Sequence, residues 1–468
     1  MGSISMTATM PLPPTTTTTT TTTLTHPESH IREQPIPQAD TPTYKTPWIR
    51  TPLIESRSLS TLAGCRILLK LENTQPSGSF KSRAMGAQIL SHLYNPANSG
   101  KRIHFFASSG GNAGLAAVCA AKTLGFPCTV VVPVQTKNLM VEKLVKAGAR
   151  DVIKYGETFA EAGVYMRDVV MQEPESEEDQ GEEEEAVKIA LHPFDNESIW
   201  EGNSTLIDEL VEQVPSLTAG EEGNGHDDMV LPVDAIVCSV GGGGLLNGLV
   251  MGLERRKRQL QQQTKKTKTM SQARPTHLVA VETRGTDSLA AAVKQGELVS
   301  LPKITSQATS LGAIRVSERT FQYAMNPPEG VKVHSTVFTD ADAARGVLRL
   351  VDEERVLVEL ACGVCVEAAV GDAARDQGSP KVSRKRKRVV DEGYGDDRLS
   401  AGENESEGEA EISGLVEKNQ FQSRLKELVP DLGPDSRVVI VVCGGSNVTI
   451  DAAVEWRAML KDGWGNEQ

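Results

Sequence analysis

One lysine of the chain stands in a setting that favours a reactive amine. Residues 77–83 read SGSFKSR, so Lys81 is flanked by small and hydroxyl-bearing residues just before a predicted helix. An amine in such a loop is accessible to a ligand and can serve as a nucleophile or a base. A surface lysine in an ordinary loop explains the same pattern, and for this motif alone it is the commoner explanation.

Two glycine-rich motifs each lie between a predicted strand and a predicted helix. Residues 108–114 read SSGGNAG after the apolar run 105–107, and residues 241–244 are four consecutive glycines after 235–240. Small residues at such a junction leave backbone N–H groups free to bind an anion. The first motif fits a carboxylate and the second a phosphate. An ordinary turn capped by Asn112 remains open for the first, and close packing for the second.

The run Gly241 to Gly244 was also compared with a dinucleotide-binding loop. Neither register fits the pattern GxGxxG, because Leu246 or Asn247 stands in the place of the third glycine. This favours a phosphate cradle of another kind.

A fourth motif, residues 443–447 (CGGSN), follows the apolar run 438–442. Cys443 therefore ends a buried strand, with its thiol either in a ligand cleft or simply buried as part of the core. A lysine, a phosphate cradle and a carboxylate nest at element junctions together form the inventory of a pyridoxal-phosphate (PLP) amino-acid site.

The elements that must position these motifs alternate between strand and helix. Strands are predicted at residues 66–71, 103–107, 129–132, 151–154, 187–191, 235–240, 277–282 and 437–442. Helices are predicted at 82–93, 112–124, 138–147, 158–171, 204–213 and 245–253. This alternation predicts an α/β fold with two domains and mostly parallel twisted sheets flanked by helices. The active site is expected in the cleft between the domains, at the carboxyl ends of the strands.

Composition suggests the domain boundaries. We expect a disordered Thr/Pro-rich tail over 1–45, a small domain over 76–172, a large domain made of 46–75 and 187–468, and an acidic insert over 173–186. Further surface inserts are expected near 216–230, 254–274 and 376–420. The last contains the basic run 384–388, which is typical of a nuclear import signal or, as we favour, of a solvated loop.

Bulk properties exclude several function classes. The net charge of −13 argues against a nucleic-acid surface, and no apolar run approaches the length that spans a bilayer. Seven cysteines, several in apolar runs, suggest reduced thiols and hence a cytoplasmic protein. Cys362 and Cys365 form a lone CxxC without a second pair or a nearby histidine, so a zinc site is not expected.

The four motifs, in this order, resemble those of the serine/threonine dehydratases, the catabolic serine ammonia-lyases among the fold type II (tryptophan-synthase-β-like) PLP enzymes. Residues 193–195 (PFD), 199–202 (IWEG), 301–306 (LPKITS) and 358–363 (VELACG) resemble that family as well. The resemblance extends over about 46–461, without the inserts. It implies an enzyme that converts L-serine to pyruvate and ammonia, and L-threonine to 2-oxobutanoate, and a homodimer.

The resemblance also implies the roles of site residues. Lys81 would be the Schiff-base lysine and general base, Phe80 would pack against the cofactor ring, Asn112 would bond its 3′-oxygen, and Cys443 would meet its pyridine nitrogen. The phosphate would be bound by Gly241, Gly242, Gly243 and Gly244, and the substrate carboxylate by Ser109, Gly110 and Ala113. A monovalent cation such as K+ would be held, mostly through backbone carbonyls, by Gly241, Glu282, Thr286, Leu311 and Ala313.

Two positions depart from the family pattern. Gly110 stands where some relatives carry alanine, which affects the pocket and the preference between serine and threonine. Leu360 stands where a proline is expected before Ala361, which affects the local loop geometry.

Other functions were weighed against the dehydratase. A serine racemase or a biosynthetic threonine deaminase shares the lysine loop, but typically has serine at the Cys443 position and histidine at the Ala113 position. A cysteine synthase-like enzyme would make a substituted product instead. From another class, an inactive regulatory or binding protein of the same fold is disfavoured by the intact Lys81.

Overall fold

Two β-sheets organise the chain. The computed structural model describes residues 43–174, 186–217, 229–263, 274–371 and 423–466. The strands are β1 (Leu53–Glu55), β2 (Arg66–Lys70), β3 (Ile103–Ala107), β4 (Cys128–Val132), β5 (Val152–Lys154), β6 (Val187–Leu191), β7 (Ala235–Ser239), β8 (Thr276–Thr283), β9 (Val331–Phe338) and β10 (Arg437–Val441).

Helices separate most of these strands. They are α1 (Arg57–Ala63), α2 (Lys81–Leu93), α3 (Asn112–Leu124), α4 (Asn138–Ala147), α5 (Phe159–Tyr165), α6 (Glu197–Leu217), α7 (Gly244–Gln263), α8 (Ser288–Gln295), α9 (Glu318–Met325), α10 (Asp340–Arg349), α11 (Leu360–Val370), α12 (Arg424–Leu428) and α13 (Ile450–Lys461). Within the described residues, no helix is long and apolar enough to span a membrane.

The larger sheet has six strands in the order β1-β2-β10-β7-β8-β9. All its pairs are parallel except β1 with β2. Every residue of β7 and of β10 is buried, which is typical of parallel strands covered by helices on both faces. The smaller sheet has the parallel order β5-β4-β3-β6. The predicted α/β class with mostly parallel sheets is confirmed.

The strand and helix bounds agree best where flanking turns are sharp. Four elements (β3, β6, α3 and α4) occupy the predicted residues. The sequence did not predict the short edge strand β1 or the edge strand β9, nor several helices of the larger part. Helix α7 continues to Gln263, so the first half of the insert expected near 254–274 is helical instead. Its Arg, Lys, Gln and Leu residues are good helix formers, which explains the extension.

Other predicted boundaries need correction. Strand β6 pairs with β3, so a large domain that begins at residue 187 would split the smaller sheet, and we propose that the boundary follows Leu191. Met229 and Val230, placed in the insert near 216–230, are buried. Tyr44, placed in the tail, packs its ring against those of Tyr94 and Phe126 at centroid distances of 5.5 and 6.1 Å.

Several predicted segments lie outside the described residues. These are the tail up to residue 42, most of the acidic insert over 173–186, and the insert over 376–420 with its basic run 384–388. The division into two domains remains a proposal.

Candidate active site

Lys81 is the first residue of α2, and its side chain is turned inward. Its Nζ donates a hydrogen bond of 2.8 Å to the carbonyl oxygen of Pro193 and lies 5.3 Å from the ring centroid of Phe80. Burial lowers the pKa of Lys81 to about 8, whereas the proximity of Cys443 acts in the opposite direction. A large part of this amine is therefore neutral near pH 8, as a nucleophile or general base requires.

The lysine motif is fastened to the loop after β10 by backbone hydrogen bonds. The N–H of Phe80 donates to the carbonyl of Cys443 over 3.2 Å, and the N–H of Gly445 donates to the carbonyl of Gly78 over 3.0 Å. Ser79 and Gly444 form an isolated antiparallel bridge. The predicted proximity of Lys81, Phe80 and Cys443 thus follows from main-chain pairing between two loops.

The thiol of Cys443 is buried at the carboxyl ends of two adjacent strands. Cys443 is 5% exposed, and its Sγ lies 3.6 Å from Oγ of Ser239, the last residue of β7. Burial raises the pKa of Cys443 to about 11, with the Ser239 hydrogen bond acting against this shift. The thiol therefore stays neutral at physiological pH.

The glycine run 241–244 leads directly into α7, which begins at Gly244. In the described part of the chain, the N–H groups of Gly241, Gly242, Gly243 and Gly244 donate to no protein acceptor, and Asn247 is the first residue of the turn whose N–H does so. Unpaired N–H groups at a helix N-terminus favour a bound anion such as phosphate.

Close packing also requires these glycines. A methyl group at Gly242 would lie 2.2 Å from the ring of Phe194, and one at Gly243, whose φ is +92°, would lie 1.8 Å from Oγ1 of Thr320. Because Pro193 accepts the hydrogen bond from Lys81, the dipeptide Pro193-Phe194 connects the amine to the glycine run. Packing and anion binding are thus both consistent with the same residues.

The motif 108–114 forms a second cluster of unpaired donors. Gly111 is the N-cap of α3, and its N–H donates to Oγ of Ser109 over 3.3 Å. Within the described ranges, the N–H groups of Gly110, Asn112 and Ala113 have no protein acceptor. Asn112 is not the helix cap that an ordinary turn would need, because it lies inside α3 and its side chain reaches other loops. This arrangement fits a substrate carboxylate.

One pair of the expected cation ligands, Gly241 and Leu311, is in close contact. A methyl group at Gly241 would lie 3.1 Å from Cα of Leu311, so these two residues are neighbours. The carboxylate of Glu282 accepts from the N–H groups of Leu289 and Ala290, both over 2.8 Å, and burial raises its pKa to about 8.

The other two expected ligands, Thr286 and Ala313, donate hydrogen bonds to neighbouring carbonyl groups, and these bonds do not occupy their own carbonyl oxygens. Thr286 Oγ1 donates to the carbonyl of Thr283, and Ala313 N–H donates to that of Leu311. No cluster of three or more His, Cys, Asp or Glu side chains suited to a metal occurs in the described part of the protein. The cation stays a prediction.

Sequence reasoning gave no role to several residues that complete this region. Pro193 accepts from Lys81, and Glu359, Ser310 and Ser446 surround the side chain of Asn112. The position of Glu359 could have indicated a role, because this carboxylate immediately precedes α11, a helix buried along its whole length.

The residues present fit PLP. An enclosed amine with a lowered pKa stands beside two clusters of unpaired backbone donors and one neutral buried thiol. The first can bond an aldehyde, the second can hold a phosphate and a carboxylate, and the third can face an uncharged ring nitrogen. The fold and this site define a PLP enzyme of the two-sheet α/β kind.

Comparison with known proteins agrees with that class. Residues 45–390 match the family described as "Pyridoxal-phosphate dependent enzyme", and the chain belongs to this family. The predicted cofactor is therefore confirmed.

Individual relatives within this class of enzyme are named for a more specific activity. The chain is 39% identical to an "L-serine dehydratase" of Saccharomyces cerevisiae (strain AWRI1631) over 320 residues, which cover 68% of this chain and 84% of the relative. It is 34% identical to a "Serine dehydratase-like" protein of Rattus norvegicus over 410 residues, covering 88% of this chain and 94% of the relative. The crystal structure of a fungal L-serine ammonia-lyase from Rhizomucor miehei superposes with a TM-score of 0.63 at 26% identity, covering 88% of this chain and 99% of that one.

Proposed function

We propose that the chain is an amino-acid ammonia-lyase that converts L-serine to pyruvate and ammonia, and L-threonine to 2-oxobutanoate and ammonia. The single observation that carries this proposal is the enclosed amine of Lys81, with its pKa lowered to about 8, next to two clusters of unpaired N–H donors. The names of the relatives, L-serine dehydratase and L-serine ammonia-lyase, support the choice of substrate.

The residues of the chain divide the work of the reaction. PLP, when bound, supplies an electron-accepting ring joined to the amino group of the substrate. The N–H groups at the start of α7 hold its phosphate, and those at the start of α3 hold the substrate carboxylate. The neutral amine of Lys81 takes the α-proton, which requires the pH to lie near or above its pKa.

Cys443 favours elimination over competing reactions. Its thiol is neutral, because burial raises its pKa to about 11. A neutral thiol does not hold a proton on the ring nitrogen as a carboxylate would, so the ring withdraws electrons less strongly. Negative charge at the α-carbon would then be short-lived, which would favour prompt departure of the β-hydroxyl over amino-group transfer.

The test is turnover by the purified protein supplied with PLP. We expect release of pyruvate from L-serine and of 2-oxobutanoate from L-threonine, and loss of both in the Lys81→Ala variant by at least about 100-fold. The matched control is Lys146→Ala, because the side chain of Lys146 is 78% exposed. Formation of D-serine without pyruvate, or of cysteine when sulfide is added, would replace the proposal by a racemase or a β-replacement enzyme. Full activity of Lys81→Ala would contradict it outright.

A homodimer and a cytoplasmic location complete the proposal. All seven cysteines are free thiols in the structure, which suits a reducing compartment. The dimer is expected from the resemblance to a family of dimers. Sedimentation of the PLP-loaded protein tests the homodimer, and the distribution of a tagged chain between cell fractions tests the cytoplasmic location.

A further inference from the structure

Both polar atoms of the Asn112 side-chain amide form hydrogen bonds. Its Oδ1 accepts a hydrogen bond from the N–H of Ser446 over 2.9 Å. Its Nδ2 donates to Oε1 of Glu359 over 3.1 Å and to Oγ of Ser310 over 3.3 Å. These contacts decide which end of the amide is which, because the reverse orientation would set Nδ2 against an N–H donor and Oδ1 against a carboxylate.

Glu359 is the centre of this arrangement. Its Oε1 also accepts from the N–H of Asn447 over 2.6 Å, and its other oxygen accepts from the hydroxyl of Ser310. The residue is 6% exposed, and these three hydrogen-bond partners of its carboxylate are all uncharged. Its two oxygens thus accept hydrogen bonds from Asn112, from Ser310 and from the loop after β10.

The loop after β10 is shaped to admit this carboxylate. Gly445 has a φ of +113°, and a methyl group there would lie 2.3 Å from Cδ of Glu359. Any other residue at 445 would therefore be strained and would also push Glu359 away. The need for glycine at this position is a second observation, independent of the hydrogen bonds, that ties the loop to Glu359.

We propose that Glu359 is a positioning residue, which fixes the amide of Asn112 so that it presents N–H and not carbonyl oxygen to the cofactor. The inference rests on the proposed assignment of Asn112 to the 3′-oxygen of PLP. Glu359 uses one hydrogen of Nδ2 and leaves the second, which Ser310 holds only at 3.3 Å, for another acceptor. If the amide were turned the other way, Oδ1 of Asn112 would face the 3′-oxygen of PLP, and neither oxygen could donate a hydrogen bond.

The experiment is a double-mutant cycle on PLP affinity, measured by titrating cofactor-free protein and following the absorbance of the bound cofactor. We expect Glu359→Ala and Asn112→Ala each to weaken PLP binding by about 10-fold, the size of one lost hydrogen bond. Because Glu359 acts through Asn112, the double variant should bind PLP as Asn112→Ala does. Multiplied effects of the two substitutions would overturn the proposal.

Glu359→Gln provides a conservative rescue. Its amide oxygen can still accept from Asn112 and Asn447, and its NH2 group can donate to Ser310, so we expect PLP affinity within about 3-fold of wild type. If Glu359→Ala does not fold, the cycle is run with Glu359→Asp, whose shorter side chain withdraws the carboxylate from Asn112.

The matched control is Glu367→Ala on α11, the helix that Glu359 immediately precedes. Glu367 is 1% exposed and pairs with Arg349 over 2.9 Å, so its loss should lower the midpoint of thermal unfolding. It should leave PLP affinity and the absorbance maximum unchanged. An equal loss of affinity in Glu367→Ala would show a merely structural role for Glu359.

The outcome is separable from that of the proposed reaction, since the titration needs no turnover. Wild-type PLP affinity in Asn112→Ala would overturn the inference even if the protein releases pyruvate. If the double-mutant cycle gives the expected PLP affinities in a protein that releases no pyruvate, the inference about Glu359 holds and the proposed lyase activity is refuted.

Discussion

Lys81 donates its amine hydrogen to the carbonyl oxygen of Pro193 over 2.8 Å, although 112 positions separate the two residues. A carbonyl accepts from an ammonium and from a neutral amine alike, so this contact holds the side chain in either state of protonation. The neighbouring Phe194 fills the space in front of Gly242. The segment between β6 and α6 therefore links the amine of Lys81 to the glycine turn at residues 241–244.

The first prediction concerns the protonation of Lys81 in the cofactor-free protein. Because burial lowers its pKa to about 8, the neutral and reactive form appears at lower pH than in an exposed lysine, whose pKa is about 10.4. Competitive labelling with acetic anhydride at a series of pH values, read by mass spectrometry, should give a midpoint near 8 for Lys81. The same lowered pKa means that this group's contribution to stability rises as the pH increases from about 8 to about 10.

Lys146 is the internal control for this titration. Its side chain is 78% exposed, and it forms an ion pair with Glu142 at 3.6 Å. Coincident midpoints for the two residues would contradict an enclosed Lys81.

The second prediction concerns the turn before α7. Gly243→Ala should destabilise the protein and weaken PLP binding, because the new methyl group would lie 1.8 Å from Oγ1 of Thr320 at a φ of +92°. The left-handed backbone alone costs about 1–2 kcal/mol, and the collision adds to this.

Gly296→Ala separates these two contributions. Gly296 has a φ of +75° with no neighbour within 4 Å, so only the backbone cost applies. Urea unfolding of the cofactor-free variants and PLP titration should show a modest loss of stability and normal affinity for Gly296→Ala. If the two variants behaved alike, the turn at Gly243 would have more space for a methyl group than the structure shows.

Local sequence predicted the elements that carry the motifs but not the way they meet. The bounds of β3 and α3 follow from an apolar run, small residues and a terminal glycine, and the structure has them at the predicted residues. By contrast, β10 comes near the end of the chain and lies between β2 and β7, an order that no local pattern contains.

The contacts around Asn112 could not be read from local sequence for the same reason. Asn112 and Glu359 are 247 positions apart, and their hydrogen bond exists only because the two sheets bring α3 and α11 together. The edge strand β9 was missed although its residues, including Lys332 and His334, alternate between apolar and polar types, a pattern that itself indicates a half-buried strand. Resemblance to a family supplied the role of Asn112, whereas its partners required the folded chain.

The third prediction concerns the buried charges that hold α2. Arg83 is 0% exposed and bonds Glu72 at 2.7 Å and Glu209 at 2.6 Å, while Lys70 bonds Glu209 at 2.5 Å. Arg83→Met leaves the fully buried Glu72 without its cationic partner and Glu209 with Lys70 alone, so the free energy of unfolding should fall by about 3–5 kcal/mol.

An exposed ion pair provides the comparison for Arg83. Arg50 and Glu212 bond at 2.6 Å, but their side chains are 54% and 64% exposed. Arg50→Ala should change the free energy of unfolding in urea by less than about 1 kcal/mol. A loss in Arg83→Met no larger than this would show that the buried network does not stabilise α2.

The last prediction concerns Gly110, which stands where some relatives of the resembled family carry alanine. A methyl group at Gly110 would lie 2.7 Å from Cγ2 and 2.9 Å from Oγ1 of Thr136. Gly110→Ala should therefore displace the unpaired N–H groups at the start of α3 and raise KM for L-serine by about 10-fold, the effect of about one lost hydrogen bond to the carboxylate. Thr136→Ala removes both colliding atoms, so the double variant Gly110→Ala with Thr136→Ala should recover most of the loss, while Thr136→Ala alone should keep nearly the wild-type KM. The measurement is the KM for L-serine of the wild type, the two single variants and the double variant. If the KM of the double variant stays as high as that of Gly110→Ala, then residue 110 affects substrate binding in some way other than by crowding against Thr136.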